Sequence, residues 1–358
     1  MPPLLSPAER SPALVARLTV AVGVATLAAA LACFEPMKVR GHPTDFGQVW
    51  FGAVALLQRM NPYELIGPNL PYAHDFPLVY PLTASIAVLP LGLLNEIAAG
   101  AVFIWISTVL LAFALTVGGW HRLPLFLSAP FIGAAFSRQW SPLLMAAAYI
   151  PWLGWAFVLK PNIGLAFLLS APSKQVVRGA LVGGTVLIAV SLLILPEWPA
   201  DWLAAVQSAS HVQPPIAHPG GFLVLLALLR WRLWEARLII ALACIPQTPA
   251  WYDILPLLLV AQTFRQHLVL SLMTSCGFLY QALFMRASDV ILLHQQYGAL
   301  LVASGYLPAL LLVLLRPNEG ATPIWLERHV AALRGLLGSA AALSHRSNPR
   351  DQIQDEPL

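Results

Sequence analysis

The feature that most constrains this chain is its division into apolar runs, separated by short stretches rich in Pro, Gly, Trp or Arg. Of its residues, 58% are hydrophobic and 10% are charged, whereas a soluble domain carries about 25% charged residues. A chain with so few charges predicts an integral membrane protein. The apolar runs lie near 13–34, 79–94, 97–118, 123–137, 140–159, 161–171, 175–195, 221–230, 236–247, 254–264, 267–285 and 295–315.

Several of these runs are shorter than the roughly 20 residues that a full transmembrane helix needs. The short or proline-interrupted runs 161–171 and 236–264 are therefore predicted to be broken or re-entrant helices. Such helices exist at membrane depth only where protein or a wet cavity satisfies their backbone. We predict an all-α polytopic membrane protein with about 10–12 transmembrane or broken helices. Residues 1–315 form one membrane domain, and residues 316–358 form a cytoplasmic amphipathic helix with a disordered tail.

The distribution of basic residues predicts an orientation. If the N-terminus is cytoplasmic and each run crosses once, most arginines and lysines after residue 170 face the cytoplasm, as the positive-inside rule requires. His121, Arg122 and Arg286 fall on the wrong side under this assignment. The long connections 35–78 and 196–220 are then both on the outer face.

Each of these outer connections contains an amphipathic stretch. Residues 45–60 repeat apolar side chains at helical spacing, with Asp45 at the N-terminal end, and residues 196–207 carry Trp198 and Trp202. Both stretches are predicted to be helices that lie along the membrane surface and together cover a shared cavity. From position alone, Asp45 is either a helix cap or a functional carboxylate.

Other patterns exclude several classes of protein. There is no basic stripe for nucleic acid, and no P-loop, GxGxxG, HExxH or Cys-x2-Cys motif. Cys33, Cys244 and Cys276 lie within apolar runs without paired spacing, so they are predicted to be buried. Gly179-x3-Gly183 is typical of a helix-packing contact. The run from Leu18 to Phe34 is either a signal sequence or an uncleaved first span, and the apolar remainder favours the span.

Several short elements follow one another in a recognisable order. Asp45 is followed by Asn61-Pro62-Tyr63, "FPLVYPLTASIAVLPLGLL" (76–94), "GWAFVLKPNIGLAFLL" (154–169), "PEWPADWL" (196–203) and "PQTPAWYDILPLLLV" (246–260). In this order they resemble the GT-C membrane glycosyltransferases, specifically glycosyltransferase family 87, which includes mycobacterial mannosyltransferases. The resemblance covers roughly residues 15 to 315. The chain departs from it in "FSRQWSPLL", where Arg138-Gln139 replaces the Gly-Gln of many relatives.

The resemblance implies a GT-C-like helix bundle in the bacterial inner (plasma) membrane, with its active site on the extracytoplasmic face. It implies transfer of a sugar, most commonly mannose, from a polyprenyl-phosphate donor to a lipid or glycan acceptor. The reaction is an inverting single displacement in which Asp45 is the general base. No cofactor is implied, a divalent ion stays open, and neither a nucleic-acid partner nor an oligomeric state is implied.

The leaving polyprenyl phosphate needs fixed cations or N–H donors. Lys160 interrupts an apolar stretch directly before Pro161, so it is either a phosphate ligand or a lysine that snorkels to the membrane surface. Arg138 is a second candidate phosphate ligand, although the predicted topology places it nearer the inner face. His211 is a third candidate, while His218 is expected to be a solvated loop histidine.

Sugar or acceptor contacts are predicted for a group of aromatic and polar side chains. Some of them have a structural alternative: Tyr63, Tyr80 and Trp251 also suit interfacial anchoring, and Asp253 also suits a cap for a helix that begins at Ile254. His74 and Asp75 are placed at the opposite rim of the site. The predicted sugar or acceptor contacts are Tyr63, Tyr80, Gln247, Tyr252 and Asp253.

Two other functions compete with an enzyme. A transporter or flippase of a lipid-linked sugar also has many spans, broken helices and intramembrane charges. A structural partner within an envelope complex would not need its carboxylates. A transporter is expected to show two halves with matching hydropathy, whereas the polar residues of this chain gather on the predicted outer loops. This distribution favours the glycosyltransferase.

Overall fold

A computed structural model of the protein describes residues 13–34, 44–208, 213–246, 250–285 and 290–320, together with Arg328. Of residues 290–295 it describes the backbone alone. The predictions for His211, Gln247 and Arg286, and those for the amphipathic helix and tail beyond residue 320, therefore lie outside the described residues.

The described chain is almost entirely helical, with one pair of two-residue strands. Its α-helices are α1 (Leu14–Cys33), α2 (Asp45–Leu57), α3 (Leu82–Ala87), α4 (Glu96–Leu115), α5 (Ala129–Phe136), α6 (Ser141–Ala147), α7 (Pro161–Ser170), α8 (Lys174–Ile194), α9 (Trp198–Ser208), α10 (Trp234–Cys244), α11 (Phe264–Phe284), α12 (Val290–Leu301) and α13 (Leu307–Leu314). A π-helical turn, Val302–Tyr306, joins α12 to α13. Strands β1 (Ile66–Gly67) and β2 (Tyr72–Ala73) pair in parallel. The 3₁₀ helices are Pro62–Glu64, Leu89–Leu93, Thr116–Gly118, Leu123–Leu127, Pro151–Val158, Pro215–Ala217, Gly221–Arg230 and Trp251–Val260.

Five helical stretches are long and apolar enough to cross a membrane. They confirm the predicted all-α polytopic membrane protein. Between them lie shorter helices, many of which contain or follow a proline. A 3₁₀ helix rises about 2.0 Å per residue, against 1.5 Å for an α-helix, so these short pieces reach further through the bundle than their length suggests. The five stretches are Leu14–Cys33, Glu96–Gly118, Lys174–Ile194, Phe264–Phe284 and Gln296–Leu314.

Helices α1 and α4 pack antiparallel and define the two ends of the bundle. At one end the Arg17 guanidinium donates to the Phe113 carbonyl at 2.8 Å. At the other end the Arg138 guanidinium joins the last turn of α1 to the first turn of α4, because it contacts both the Ala32 carbonyl and Glu96. We call these the Arg17 end and the Asp45 end, since Asp45 contacts the residue that follows Arg138.

The prediction that residues 79–94 cross the membrane is wrong. This stretch forms α3, of six residues, and the 3₁₀ helix Leu89–Leu93, because Pro90 lacks an N–H donor and interrupts an α-helix. The described chain between α1 and α4 therefore contains no further span, and α4 runs in the direction opposite to the predicted one. As a result, His121 and Arg122 lie beyond the Arg17 end of α4 and are no longer exceptions to the charge pattern.

Basic side chains gather at the Arg17 end, where they bind the free carbonyls of helix C-termini. The Arg237 guanidinium donates to the Ser170 carbonyl at the end of α7 at 2.8 Å. Arg230 donates to the Leu314 carbonyl at the end of α13 at 2.9 Å. The last carbonyls of a helix have no partner within it, so these contacts satisfy groups that are costly to bury. Under the positive-inside rule, the Arg17 end is expected to face the cytoplasm.

Helix α2 begins at Asp45 as predicted, but it is not a simple surface helix. Phe46, Gly47, Gln48 and Val49 are all buried, so its first turn is enclosed on every side. The helix packs against the 3₁₀ helix Leu89–Leu93 and against α3 and α4. The apolar residues at helical spacing in α2 therefore pack against neighbouring helices of the protein.

Helix α9 (Trp198–Ser208) is present close to its predicted bounds, with Trp198 buried and the rest of the helix more exposed. The burial predicted for Cys33, Cys244 and Cys276 is wrong, because all three are exposed on the apolar outer surface of the bundle. Apolar residues on that surface face lipid, so an apolar run does not by itself indicate a buried position.

Gly179 and Gly183 form the helix contact that their spacing predicts. A Cβ atom on Gly179 would overlap the Pro151 carbonyl oxygen, and one on Gly183 would lie 2.7 Å from the Trp155 Cβ. The segment 151–158 can therefore approach α8 only because these positions lack side chains.

We expect Gly179→Ala to lower the free energy of unfolding by about 1–3 kcal/mol, since the added methyl group meets a backbone atom that cannot rotate away. Gly23→Ala is the matched control, because a Cβ atom there meets nothing within 4 Å. Alanine at that helical position is expected to be neutral or to stabilise by up to about 1 kcal/mol. Unfolding in detergent measures both values, and equal effects at the two positions would contradict the close contact.

Candidate functional site

Asp45 lies at the start of α2 with its carboxylate turned into the bundle. The cap of this helix is Thr44, whose hydroxyl accepts from the Gly47 N–H, so the carboxylate is not needed as a cap. Asp45 Oδ2 instead accepts from the Gln139 amide at 2.6 Å and from the Tyr252 hydroxyl at 2.9 Å. The side chain is half-buried. Its partners come from two distant parts of the sequence.

Lys160 joins the same group of side chains. It directly precedes α7, which begins at Pro161, and it is 7% exposed. Its ammonium donates to Asp253 Oδ1 at 2.7 Å and to Gln139 Oε1 at 3.0 Å, and it lies 5.2 Å from the centre of the Tyr252 ring. The snorkelling interpretation is therefore wrong, because the ammonium faces a buried carboxylate.

Asp253 is buried at 2% exposure and pairs with Lys160. The 3₁₀ helix that contains it begins at Trp251, so Asp253 lies within the first turn and is not a cap for a helix beginning at Ile254. Removing one member of a buried ion pair leaves an uncompensated charge, which costs about 3–5 kcal/mol. Lys160 and Asp253 are 93 residues apart and hold two broken helices together.

Gln139 connects Asp45 to Lys160, and through Lys160 to Asp253, although it is not among the residues predicted for the site. It is 0% exposed, and its amide donates to Asp45 while its oxygen accepts from Lys160. The signal in the sequence is its place between two apolar segments, where an amide without partners would be costly. The sequence-based prediction for the site named its neighbour Arg138 instead.

Arg138 lies next to this group in sequence, but its side chain is directed elsewhere. Its backbone has φ +52°, a left-handed conformation that favours glycine. Its guanidinium is 3.1 Å from the Ala32 carbonyl and 3.5 Å from Glu96. The prediction that Arg138 lies nearer the face opposite Asp45 is wrong, since Arg138 lies at the Asp45 end.

Tyr80 borders the group and is 6% exposed. Burial, followed by the charges of Asp45 and Asp253, raises the pKa of Tyr80, so its hydroxyl stays protonated. Tyr63 contacts Tyr80 and not the group itself: its hydroxyl donates to the Tyr80 carbonyl at 3.0 Å. Burial and the charge of Asp201 raise the pKa of Tyr63 as well.

Helix α9 is tied to the segment that carries these tyrosines. The Asn61 amide donates to Asp201 at 3.0 Å, and the Trp202 indole donates to the Val79 carbonyl at 2.9 Å. The Asn-Pro-Tyr element thus fixes α9 beside Tyr63 and Tyr80. Its asparagine also caps the 3₁₀ helix Pro62–Glu64 by accepting from the Tyr63 N–H.

The other predicted residues lie outside this group. His74 is buried and lies 2.8 Å from the Gln48 amide, one turn along α2 from Asp45, while Asp75 is exposed. His218 is buried at 8% exposure instead of solvated, and burial lowers its pKa. Trp251 is 6% exposed and packs edge-on against Phe278, so it does not face lipid as an anchor would.

Together, Asp45, Gln139, Lys160, Tyr252 and Asp253 form a connected network at one end of the bundle, with Tyr80 beside it. We call this the Asp45 network. Two carboxylates and one ammonium give it one formal negative charge if both acids are ionised. Within the network Lys160 is charge-paired, whereas the partners of Asp45 are neutral hydrogen-bond donors. Such a carboxylate can accept a proton without breaking an ion pair.

No protein-family model, curated protein or solved structure matches the chain.

Proposed function

We propose that this protein is a membrane glycosyltransferase that moves a sugar from a polyprenyl-phosphate donor to a lipid or glycan acceptor. The observation that carries the proposal is the Asp45 network. It joins residues as far apart as Asp45 and Tyr252, separated by 207 positions, and encloses their charges within an apolar bundle. Ionisable groups are costly inside a membrane protein, so a cluster of this kind is a functional site by default.

In the proposed reaction the acceptor hydroxyl attacks C1 of the sugar while the bond from C1 to the phosphate oxygen breaks. Asp45 takes the hydroxyl proton, and the electron pair of the broken bond leaves with the polyprenyl phosphate. The configuration at C1 inverts because there is a single displacement. Gln139 and Tyr252 hold the carboxylate in place through Oδ2. A positioned base of this kind contributes about 10²–10⁴-fold to a rate.

The donor phosphate is proposed to bind at Lys160. Its ammonium is the cation of the network, and Asp253 and Gln139 fix its position. A positioned ammonium stabilises the charge that develops on the leaving phosphate, particularly where water is excluded. We place the reaction on the extracytoplasmic face of a bacterial inner membrane, because the basic residues gather at the opposite end. Mannose is the proposed sugar because the sequence resemblance implies it.

A second function, transport of a lipid-linked sugar, is favoured by the burial of the Lys160–Asp253 pair. Paired intramembrane charges are common in transporters, where they relay protons or bind substrate. Purified protein in vesicles with a radiolabelled polyprenyl-phosphate mannose and a membrane lipid extract distinguishes the two functions. Label in a new product supports the transferase. Label that crosses the vesicle membrane while the donor stays intact supports the transporter and overturns our proposal.

Gln139→Leu is expected to lower kcat by about 10- to 100-fold, because Asp45 and Lys160 each lose a partner and misplacement by about 1 Å costs up to 10²-fold. The radiolabel assay measures the rate, and donor affinity is measured separately. Gln281→Leu is the control, since Gln281 also bonds a buried side chain, the Trp251 indole, outside the network. A normal rate for Gln139→Leu would mean that the amide is structural.

A further inference from the structure

A groove at the Arg17 end lies outside the Asp45 network. It runs between the start of the 3₁₀ helix Pro151–Val158 and the first turns of α8, and its floor is Gly179. Helix α8 begins shortly after Ser170, whose carbonyl binds Arg237 at the Arg17 end. The groove is lined by Pro151, Trp152, Gln175, Arg178, Gly179 and Val182.

One side of the groove is apolar and belongs to the lipid-facing surface. Of the five candidate spans, α8 is the least buried, with 17% of its apolar window inside the bundle. Trp152 is 66% exposed and Val182 is 60% exposed. From Gln175 to Val182 the helix rises about 10 Å, so the groove extends from the end of the bundle towards the membrane interior.

The mouth of the groove is positively charged. Lys174 and Arg178 are one turn apart on α8, and both are exposed. Neither forms an ion pair with a carboxylate in the described part of the chain, and α8 contains no acidic residue. Gln175 adds an amide donor beside them. Among the described residues, this end therefore presents two exposed cations without an ionic partner beside the apolar side of the groove.

We propose that the groove binds an anionic phospholipid. The Arg178 guanidinium and the Gln175 amide bind its phosphate, Lys174 compensates the headgroup charge, and an acyl chain lies along Gly179 and Val182. A guanidinium forms two parallel bonds to phosphate oxygens, which a neutral side chain does not offer. Trp152 has the exposed position of an indole at the level of lipid headgroups. The inference is independent of the proposed function.

The test is retention of lipid by the full chain, measured by native mass spectrometry after reconstitution in phosphatidylglycerol, phosphatidylcholine or a mixture of the two. We expect preferential retention of phosphatidylglycerol. Arg178→Gln is expected to weaken retention about fivefold, and Lys174→Gln with Arg178→Gln roughly 25-fold, at the strength typical of a cation near an anionic surface. Arg178→Lys is expected to retain more lipid than Arg178→Gln, since it keeps the charge.

Arg265→Gln is the matched control, because Arg265 is exposed in the first turn of α11, another candidate span, but does not line the groove. An equal loss for Arg265→Gln would overturn the proposal in favour of general surface charge. Equal retention of the two lipids would also overturn it. Displacement by millimolar inorganic phosphate would show a site for the free anion and reject the lipid. Thermal unfolding of each variant shows whether the fold is intact.

Discussion

Asp45→Asn is expected to reduce sugar transfer by about 10²–10⁴-fold while the protein remains folded, because an amide cannot take the acceptor proton. Asparagine has nearly the same shape as aspartate, and its oxygen can still accept from Gln139 and Tyr252. The loss is therefore expected in kcat and not in the affinity for the polyprenyl-phosphate donor. Initial rates with radiolabelled donor, together with a separate binding measurement, check both expectations.

Glu197→Gln provides the comparison, since Glu197 is an exposed carboxylate at the start of α9 and has no part in the Asp45 network. It is expected to transfer sugar at the rate of the unchanged protein. If Asp45→Asn transfers as fast as Glu197→Gln, Asp45 is not the base and the proposed mechanism fails. If both variants are inactive, transfer depends on the total negative charge at the Asp45 end, and the loss in Asp45→Asn does not identify Asp45 as the base.

Lys160→Met is expected to lower the free energy of unfolding by about 3–5 kcal/mol, because it leaves the buried Asp253 carboxylate without its cation. The double variant Lys160→Met with Asp253→Leu is expected to recover most of this stability, since an apolar pair of similar volume needs no compensating charge. Sugar transfer is expected to stay lost in the double variant, because the proposed phosphate ligand is missing. Unfolding in detergent and the radiolabel assay measure the two properties.

Lys174→Met tests whether loss of any lysine has this effect on stability. Lys174 is exposed at the Arg17 end, where its replacement is expected to change the free energy of unfolding by less than about 0.5 kcal/mol. A double variant that is both stable and active would show that the pair serves neither the donor phosphate nor catalysis. A double variant as unstable as Lys160→Met would show that lost packing, and not the unpaired charge, is responsible.

The amino-acid sequence by itself determined the fold class and the positions of several helices. Apolar runs and scarce charge predicted an all-α membrane protein, and helical spacing predicted α2 and α9. The isolation of Lys160 within an apolar stretch predicted a charge that needs a partner, and the structure supplies one in Asp253. These are properties of neighbouring residues, and composition and period are enough to reveal them.

The direction in which each helix runs through the bundle was decided only by the tertiary structure. Residues 79–94 are as apolar as a transmembrane helix, yet they form short helices packed beside α2. That change reverses α4 and moves His121 and Arg122 to the Arg17 end. Apolar character alone does not distinguish a span from a short helix buried among others, because both remove the same side chains from water.

The contacts of the candidate site also required the fold. Asp45, Gln139 and Tyr252 are far apart in the chain, and nothing in the sequence near Gln139 shows that its amide reaches two charged side chains. Arg138 and Gln139 are neighbours with different partners, because the left-handed backbone at Arg138 directs one side chain towards α1 and α4 and the other towards Lys160. Sequence determined which charges must be paired inside the membrane protein. Only the packing of its broken helices decided which partner each charge has, because a hydrogen bond depends on distances that a sequence does not contain.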